Sequence, residues 1–248
     1  MTAELQMTVE ELLAVFIARE MRDFETCACG AQSFIPAAGM LLGREVYAPN
    51  MEIIIRGTRG YNPIVSPRDF HFLAQRGKMD LFFIGAIEID KHANFNLHVI
   101  GDRDAPQVLM PGQYGTGLLY YAVPRIIVFR TAHTKRIFVE RVHYISGAGT
   151  SPEGIFRRTG EVRILTPLAW LKLNQKSRVV ELESVHPGHT AEEVQENTGF
   201  DLNIQGPVPT TPAPTEEELH TLRTVVKSGM IETATYSDLA RTRIGTAG

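Results

Sequence analysis

Glu52-Ile53-Ile54-Ile55-Arg56-Gly57 is the stretch on which the reading of this chain turns. Three consecutive isoleucines without alternation describe a short strand covered on both faces, the kind buried in parallel sheets. Arg56-Gly57 then marks where the chain leaves the sheet. Working outward, residues 24–30 read as a short strand entering a small-residue turn, and residues 34–44, after Ser33, as a helix rich in Ala, Leu and Met. Ahead of them, Thr8 and Glu11 form a T-x-x-E capping box before Leu12, Leu13, Val15, Phe16 and Ile17 at helical spacing. Downstream, Ser66 as N-cap and Pro67 at the first helical position open another helix, which Gly77 closes. Residues 79–84 (MDLFFI) give another buried strand, and 126–129 (IIVF) and 137–139 (IFV) are the next strand candidates. Strands alternating with helices define an α/β fold: an open, mostly parallel sheet with flanking helices.

In the second half, residues 162–165 (VRIL) and 179–182 (VVEL) alternate more, as half-exposed antiparallel strands do. Thr190 and Glu193 make another capping box, and Gly199 stands where a helix C′ glycine belongs. Residues 206–215 (GPVPTTPAPT) form an extended, proline-rich connector, and Thr215 opens a final helix whose Leu219, Leu222, Val225 and Val226 face one side. The expected division is an α/β domain over residues 1–206, followed over 207–248 by the connector and a C-terminal helix packing on the domain or on a partner.

The charge balance, 25 basic against 28 acidic residues, gives neither nucleic acid nor an anionic membrane a reason to bind. Cys27 and Cys29, the two cysteines, stand too close for a disulfide framework, which suits a reducing cytoplasm. Residues 1–7 lack the pattern of a signal peptide, and no stretch approaches the roughly 18 apolar residues of a membrane span. A cytoplasmic protein is therefore expected.

Three constellations are candidates for chemistry. Pro111-Gly112-Gln113-Tyr114-Gly115-Thr116-Gly117 is either a plain tight turn or a backbone that approaches a ligand and offers N–H groups to an oxygen. Residues 85–96 (GAIEIDKHANFN) follow a strand of the sheet, where ligands of open α/β folds bind. There Asp90, Asn94 and Asn96 either hold a turn or meet substrate, the turn being the commoner use. Arg56, with Arg59 nearby, suits a carboxylate or phosphate, or equally an ion pair at a domain or subunit surface. Cys27-Ala28-Cys29 lacks a second cysteine pair, and His186 and His189 flank a turn, so no metal site is expected.

Several collinear segments carry a resemblance: Val46-Tyr47-Ala48-Pro49, Gly85-Ala86-Ile87-Glu88-Ile89-Asp90 with Asn94 and Asn96, the glycine turn, and Glu196-Asn197-Thr198-Gly199-Phe200-Asp201-Leu202. Together they resemble the B subunit of glutaconate CoA-transferase and its class I CoA-transferase relatives, from about residue 9 to about residue 223. The resemblance implies a NagB/RpiA-like fold and an α-type partner chain in a heterodimer or heterotetramer. It also implies a coenzyme A thioester as substrate, with no bound cofactor. Transferase members attack the thioester with a glutamate just after the apolar strand, and Arg56 falls at that place. A guanidinium is no acyl acceptor. Relatives lacking the glutamate hydrolyse a steroid-derived ring thioester or decarboxylate a glutaconyl-type thioester. The expectation is thus an acyl-CoA hydrolase or lyase acting on a carboxylated or β-keto acyl group, with Arg56 as the catalytic electrostatic anchor. Gly30, Ala31, Gly112, Gln113, Tyr114, Gly115, Gly117, Asn94 and Asn96 would bind substrate, and the general base would come from the partner. The alternatives are a transferase with a displaced nucleophile and a non-catalytic structural subunit.

Overall fold

The computed structural model of the chain describes residues 6–64, 66–111 and 113–246. It contains two compact units, Met1–Val65 with Ala213–Gly248, and Ser66–Pro212. The first begins with α1 (Val9–Ala18), β1 (Thr26–Cys29), α2 (Phe34–Val46) and β2 (Glu52–Ile55). The second holds α3 (Pro67–Gln75), β3 (Leu81–Gly85), β4 (Glu88–Ile89), β5 (Phe95–Asn96), β6 (Val99–Gly101), β7 (Pro106–Leu109), α4 (Thr116–Ala122) and β8 (Arg125–Phe129), then β9 (Glu161–Leu165), β10 (Ala169–Asn174), β11 (Val179–Val185) and α5 (Ala191–Glu196). The chain then returns to the first unit with α6 (Glu216–Thr221), a π-helical turn (Leu222–Val226), α7 (Lys227–Glu232) and α8 (Ser237–Arg243).

In the first unit β1 and β2 run parallel, with Cys27 opposite Ile53 and Cys29 opposite Ile55. The capping box at α1 forms as read: the Glu11 N–H donates to Thr8 Oγ1 at 3.1 Å, and the Thr8 N–H to Glu11 Oε2 at 2.8 Å. Glu11 also receives Arg223 Nε at 2.7 Å, so one carboxylate caps a helix and ties the returning segment to it. Glu218, 2 % exposed, does the same at α6, accepting from the Thr215 N–H, Tyr47 Oη and Arg19. Burial raises its pKa, but the hydrogen bonds from Arg19 and Tyr47 outweigh that and hold it at about 2.

In the second unit β3, β8 and β9 pair in parallel, whereas β9–β10 and β10–β11 are antiparallel. In the large sheet of this unit the antiparallel pairs thus fall in the second half, as expected, whereas the separate hairpins β4–β5 and β6–β7 are antiparallel within the first half. Residues 162–165, expected as a half-exposed antiparallel strand, sit between the two modes: Val162 to Leu165 pair in parallel with Ile126 to Phe129, while β10 pairs antiparallel on the other edge. Residues 137–139 form no strand; Phe138 makes only an isolated bridge to Ile89 and stacks its ring on His133 at 4.0 Å. Ile137 and Phe138 are buried in the core without joining a ladder, and Val139 is half-buried. At α5, Thr190 caps Glu193, but the Glu193 carboxylate accepts from His189 Nδ1 at 2.9 Å instead of closing the box. Gly199 lies beyond the helix end; a Cβ there would come 2.3 Å from the Phe138 carbonyl, so close approach requires the glycine. In the C-terminal segment Leu219, Leu222 and Val226 are buried, whereas Val225 is 53 % exposed, because the π-helical turn changes the spacing of the apolar face.

Candidate functional site

The site residues fall into two groups, one in each unit. In the first, the Arg56 N–H donates to the Cys29 carbonyl at 3.2 Å, extending the β1–β2 ladder by one bond at the carboxyl ends of both strands. Gly57 is left-handed (φ 72°), and a Cβ on it would sit 3.7 Å from Ala31 Cβ. The Arg56–Gly57 exit and the Gly30–Ala31 turn are therefore neighbours, with Gly30 and Arg56 half-buried and Ala31 exposed. Beneath them Cys29 is fully buried, and burial pushes its thiol well above the ordinary cysteine range. Since the thiolate is the nucleophile, Cys29 is a packing residue. Among the described residues no three His, Cys, Asp or Glu side chains converge as a metal site.

In the second unit Gly112 lies outside the described residues. Gln113, Tyr114, Gly115 and Gly117 form the turn that leads into α4. It closes on itself: the Thr116 N–H donates to the Gln113 carbonyl at 2.8 Å. Tyr114 and Gly115 both have positive φ, 44° and 70°, a conformation that suits glycine and strains tyrosine. His71 on α3 braces the turn, its Nε2 3.1 Å from the Tyr114 carbonyl and its Nδ1 3.1 Å from that of Pro67. On the other side, a Cβ at Gly117 would meet the Ser146 carbonyl at 2.7 Å, so the segment carrying Ser146 lies directly against the turn.

Both asparagines are engaged within the protein. Asn94 donates its N–H and its amide to Asp90, and its Oδ1 accepts from the Gly149 N–H at 3.0 Å. Asn96 is completely buried; its Oδ1 accepts from the His98 and Val99 N–H groups, and its Nδ2 donates to Glu88 Oε2 at 2.8 Å. Glu88 in turn accepts from the His143 N–H at 3.0 Å and lies 2.6 Å from His143 Nδ1. Two groups here escaped the sequence reading. The Glu88–His143 pair joins residues 55 apart, and no local pattern announces it. Arg130, directly after β8, is half-buried; its Nε is buried, and no partner for its guanidinium occurs among the described residues. Burial lowers its pKa from the ordinary arginine value. A signal did exist for Arg130: like Arg56, it directly follows a continuous apolar strand.

A model of the coenzyme A transferase family matches residues 62–197. The chain is 29 % identical to the B subunit of 3-oxoadipate CoA-transferase from Pseudomonas knackmussii, over 87 % of this chain and 92 % of that one. It is 28 % identical to the B subunit of glutaconate CoA-transferase from Acidaminococcus fermentans, over 79 % and 84 %. It is 31 % identical to the IpdB subunit of the cholesterol ring-cleaving hydrolase from Rhodococcus jostii, over 58 % of each chain. Among solved structures, the decarboxylase AibA/AibB superposes with a TM-score of 0.77 at 22 % identity, over 88 % of this chain and 94 % of that one, which establishes the shared fold.

Proposed function

The chain belongs to the coenzyme A transferase family, and from that premise we propose that it is the β-type subunit of a heteromeric hydrolase or lyase acting on acyl-CoA thioesters. The carrying observation is Arg56 at the carboxyl end of β2, beside Gly30 and Ala31. By resemblance this is the place of the glutamate on which transferase members form their covalent thioester, the step that divides acyl exchange into two easier ones. A guanidinium accepts no acyl group, but it pairs with a carboxylate or a polarised carbonyl oxygen through paired N–H donors. Hence the proposed substrate carries a carboxylate or β-keto group, held and polarised by Arg56. Within the second unit, Arg130, whose buried Nε has no partner among the described residues, is a half-buried cation that by itself favours an anionic ligand. The turn at residues 113–117, in the same unit, is a backbone that can offer N–H groups to an oxygen, and Asn94 and Asn96 hold the neighbouring loop. An α-type subunit would complete the enzyme, as the names of the relatives suggest.

The test is intact mass spectrometry of the co-expressed complex mixed with a panel of acyl-CoAs, beside an Arg56→Ala variant. The expected result is a cleaved or decarboxylated product and no CoA adduct. Arg56→Ala should then lose ~10²–10³ in kcat while the complex stays assembled. A CoA adduct on a carboxylate of either chain, or near-normal turnover by Arg56→Ala, overturns the reading. The second reading, a transferase with a displaced nucleophile, is favoured by the two relatives that carry transferase names, and the adduct is its signature.

A further inference from the structure

Of the histidines in the second unit, two are core residues with both ring nitrogens bonded. His133 lies between Thr166 Oγ1 and Thr198 Oγ1, and His186 between Thr211 Oγ1 and the Thr166 carbonyl. His143 differs from both. Its side chain is 45 % exposed, and Nδ1 is held by a Glu88 carboxylate that is only 3 % exposed. Its Nε2 makes no hydrogen bond among the described residues. Glu88 is itself fixed, since its Oε2 accepts from both Asn96 Nδ2 and the His143 N–H. A carboxylate accepts, so Nδ1 carries the proton and Nε2 keeps the lone pair, on a side chain that is 45 % exposed. A buried, anchored carboxylate that sets the tautomer of an accessible imidazole is the arrangement of a general base.

The placement fits as well. Glu88 follows the end of β3 by three residues, at the carboxyl edge where open α/β sheets bind ligands. His143 shares its segment with Ser146, whose carbonyl closes on Gly117 of the glycine turn. By contrast, His189 pairs with a Glu193 that is 41 % exposed and one helical turn away, a surface ion pair.

We propose that His143, positioned by Glu88, is the general base of this chain, acting on the water that attacks a carbonyl carbon of the acyl-CoA. This rests on the hydrolytic form of the reading above and moves the base from the partner subunit to this one. As the water oxygen bonds to the carbonyl carbon, Nε2 takes a water proton. When the C–S or C–C bond breaks, the imidazolium returns that proton to the departing thiolate or enolate. Turnover then depends on an unprotonated Nε2. Besides Glu88, the charged and titratable groups beside His143 in sequence are Glu140, Arg141 and Tyr144, and the Tyr144 ring meets the His98 ring at 5.3 Å and the Arg103 guanidinium at 6.0 Å.

The experiment compares His143→Ala, Glu88→Gln and His189→Ala in the co-expressed complex, measuring kcat, KM and the pH profile with the acyl-CoA panel. A second readout is acylation of His143 by diethyl pyrocarbonate, with and without a CoA thioether. The proposal expects His143→Ala to lose ~10²–10⁴ in kcat with KM within a few-fold, partial rescue by added imidazole, and loss of the acid limb. Glu88→Gln should lower kcat and shift that limb, His189→Ala should change neither, and the thioether should protect His143. If His143→Ala turns over within threefold of wild type, or the thioether gives no protection, the base is overturned while the acyl-CoA reading stands. A wild-type complex that neither cleaves a thioester nor binds the thioether overturns that reading, and this base with it.

Discussion

Arg130 is a half-buried guanidinium whose buried Nε finds no acceptor among the described residues and whose pKa is lowered by burial. Evolution retains such groups where function outweighs stability. Arg130→Leu should accordingly leave the unfolding free energy unchanged or raise it by up to ~1 kcal/mol, because a desolvated cation disappears. The same variant should raise KM for an anionic acyl-CoA by ~10-fold or more, the worth of one charge-assisted hydrogen bond. Chemical denaturation and steady-state kinetics on the same preparations check both. A loss of more than ~1 kcal/mol would mark Arg130 as structural.

At the scale of elements, α1 and α2 approach as closely as their side chains allow. A Cβ on Gly39 would lie 2.4 Å from Ile17 Cγ2, and one on Gly43 would lie 2.2 Å from Met21 Cγ. The two glycines are four residues apart and so share one helix face, making a groove that receives α1. Gly39→Ala should cost ~1–3 kcal/mol by overpacking. Gly229 in α7 has nothing within 4 Å of its Cβ position, so Gly229→Ala should gain ~0.5–1 kcal/mol from helix propensity. Urea titration of both variants reads the difference in sign. The helix starts were legible in the sequence because a capping box acts within four residues: Thr8 with Glu11, Ser66 with Asp69 and Thr215 with Glu218 all form. The short hairpins β4–β5 and β6–β7 and the strand β10 were not read, since their pairing depends on partners across the fold.

Over the whole molecule, the two units should respond to acid at different pH. In the second unit burial holds His133 at about 3 and His186 at about 4, well below the ordinary histidine value of about 6.5. Between those limits the unfolded chain binds more protons, so stability is full above about pH 6.5 and falls as pH drops toward 4, by on the order of 2–3 kcal/mol for each histidine. In the first unit Glu218, held at about 2, contributes stability that is present above the ordinary carboxylate pKa and is lost only below it. Hydrogen exchange read by mass spectrometry should therefore show residues 66–212 losing protection between pH 6.5 and 4.5, before residues 6–64 and 213–246. The reverse order would contradict this assignment.

The sequence by itself determined the α/β alternation, the helix caps, the buried strands β2, β3 and β8, and the glycine turn. Each of these is written in residues within a few positions of one another, where backbone sterics and hydrophobic period decide. It also placed Arg56 at a strand end, because a charge after an apolar run can only mark an exit. The tertiary structure decided what distant residues do together. Glu218 and Arg223 belong to the first unit because Arg19 and Glu11 receive them. Asn96 is an internal scaffold because Glu88 and two N–H groups saturate its amide. His143 gains its oriented imidazole from a carboxylate 55 residues earlier, a pairing that exists only once the chain has closed on itself.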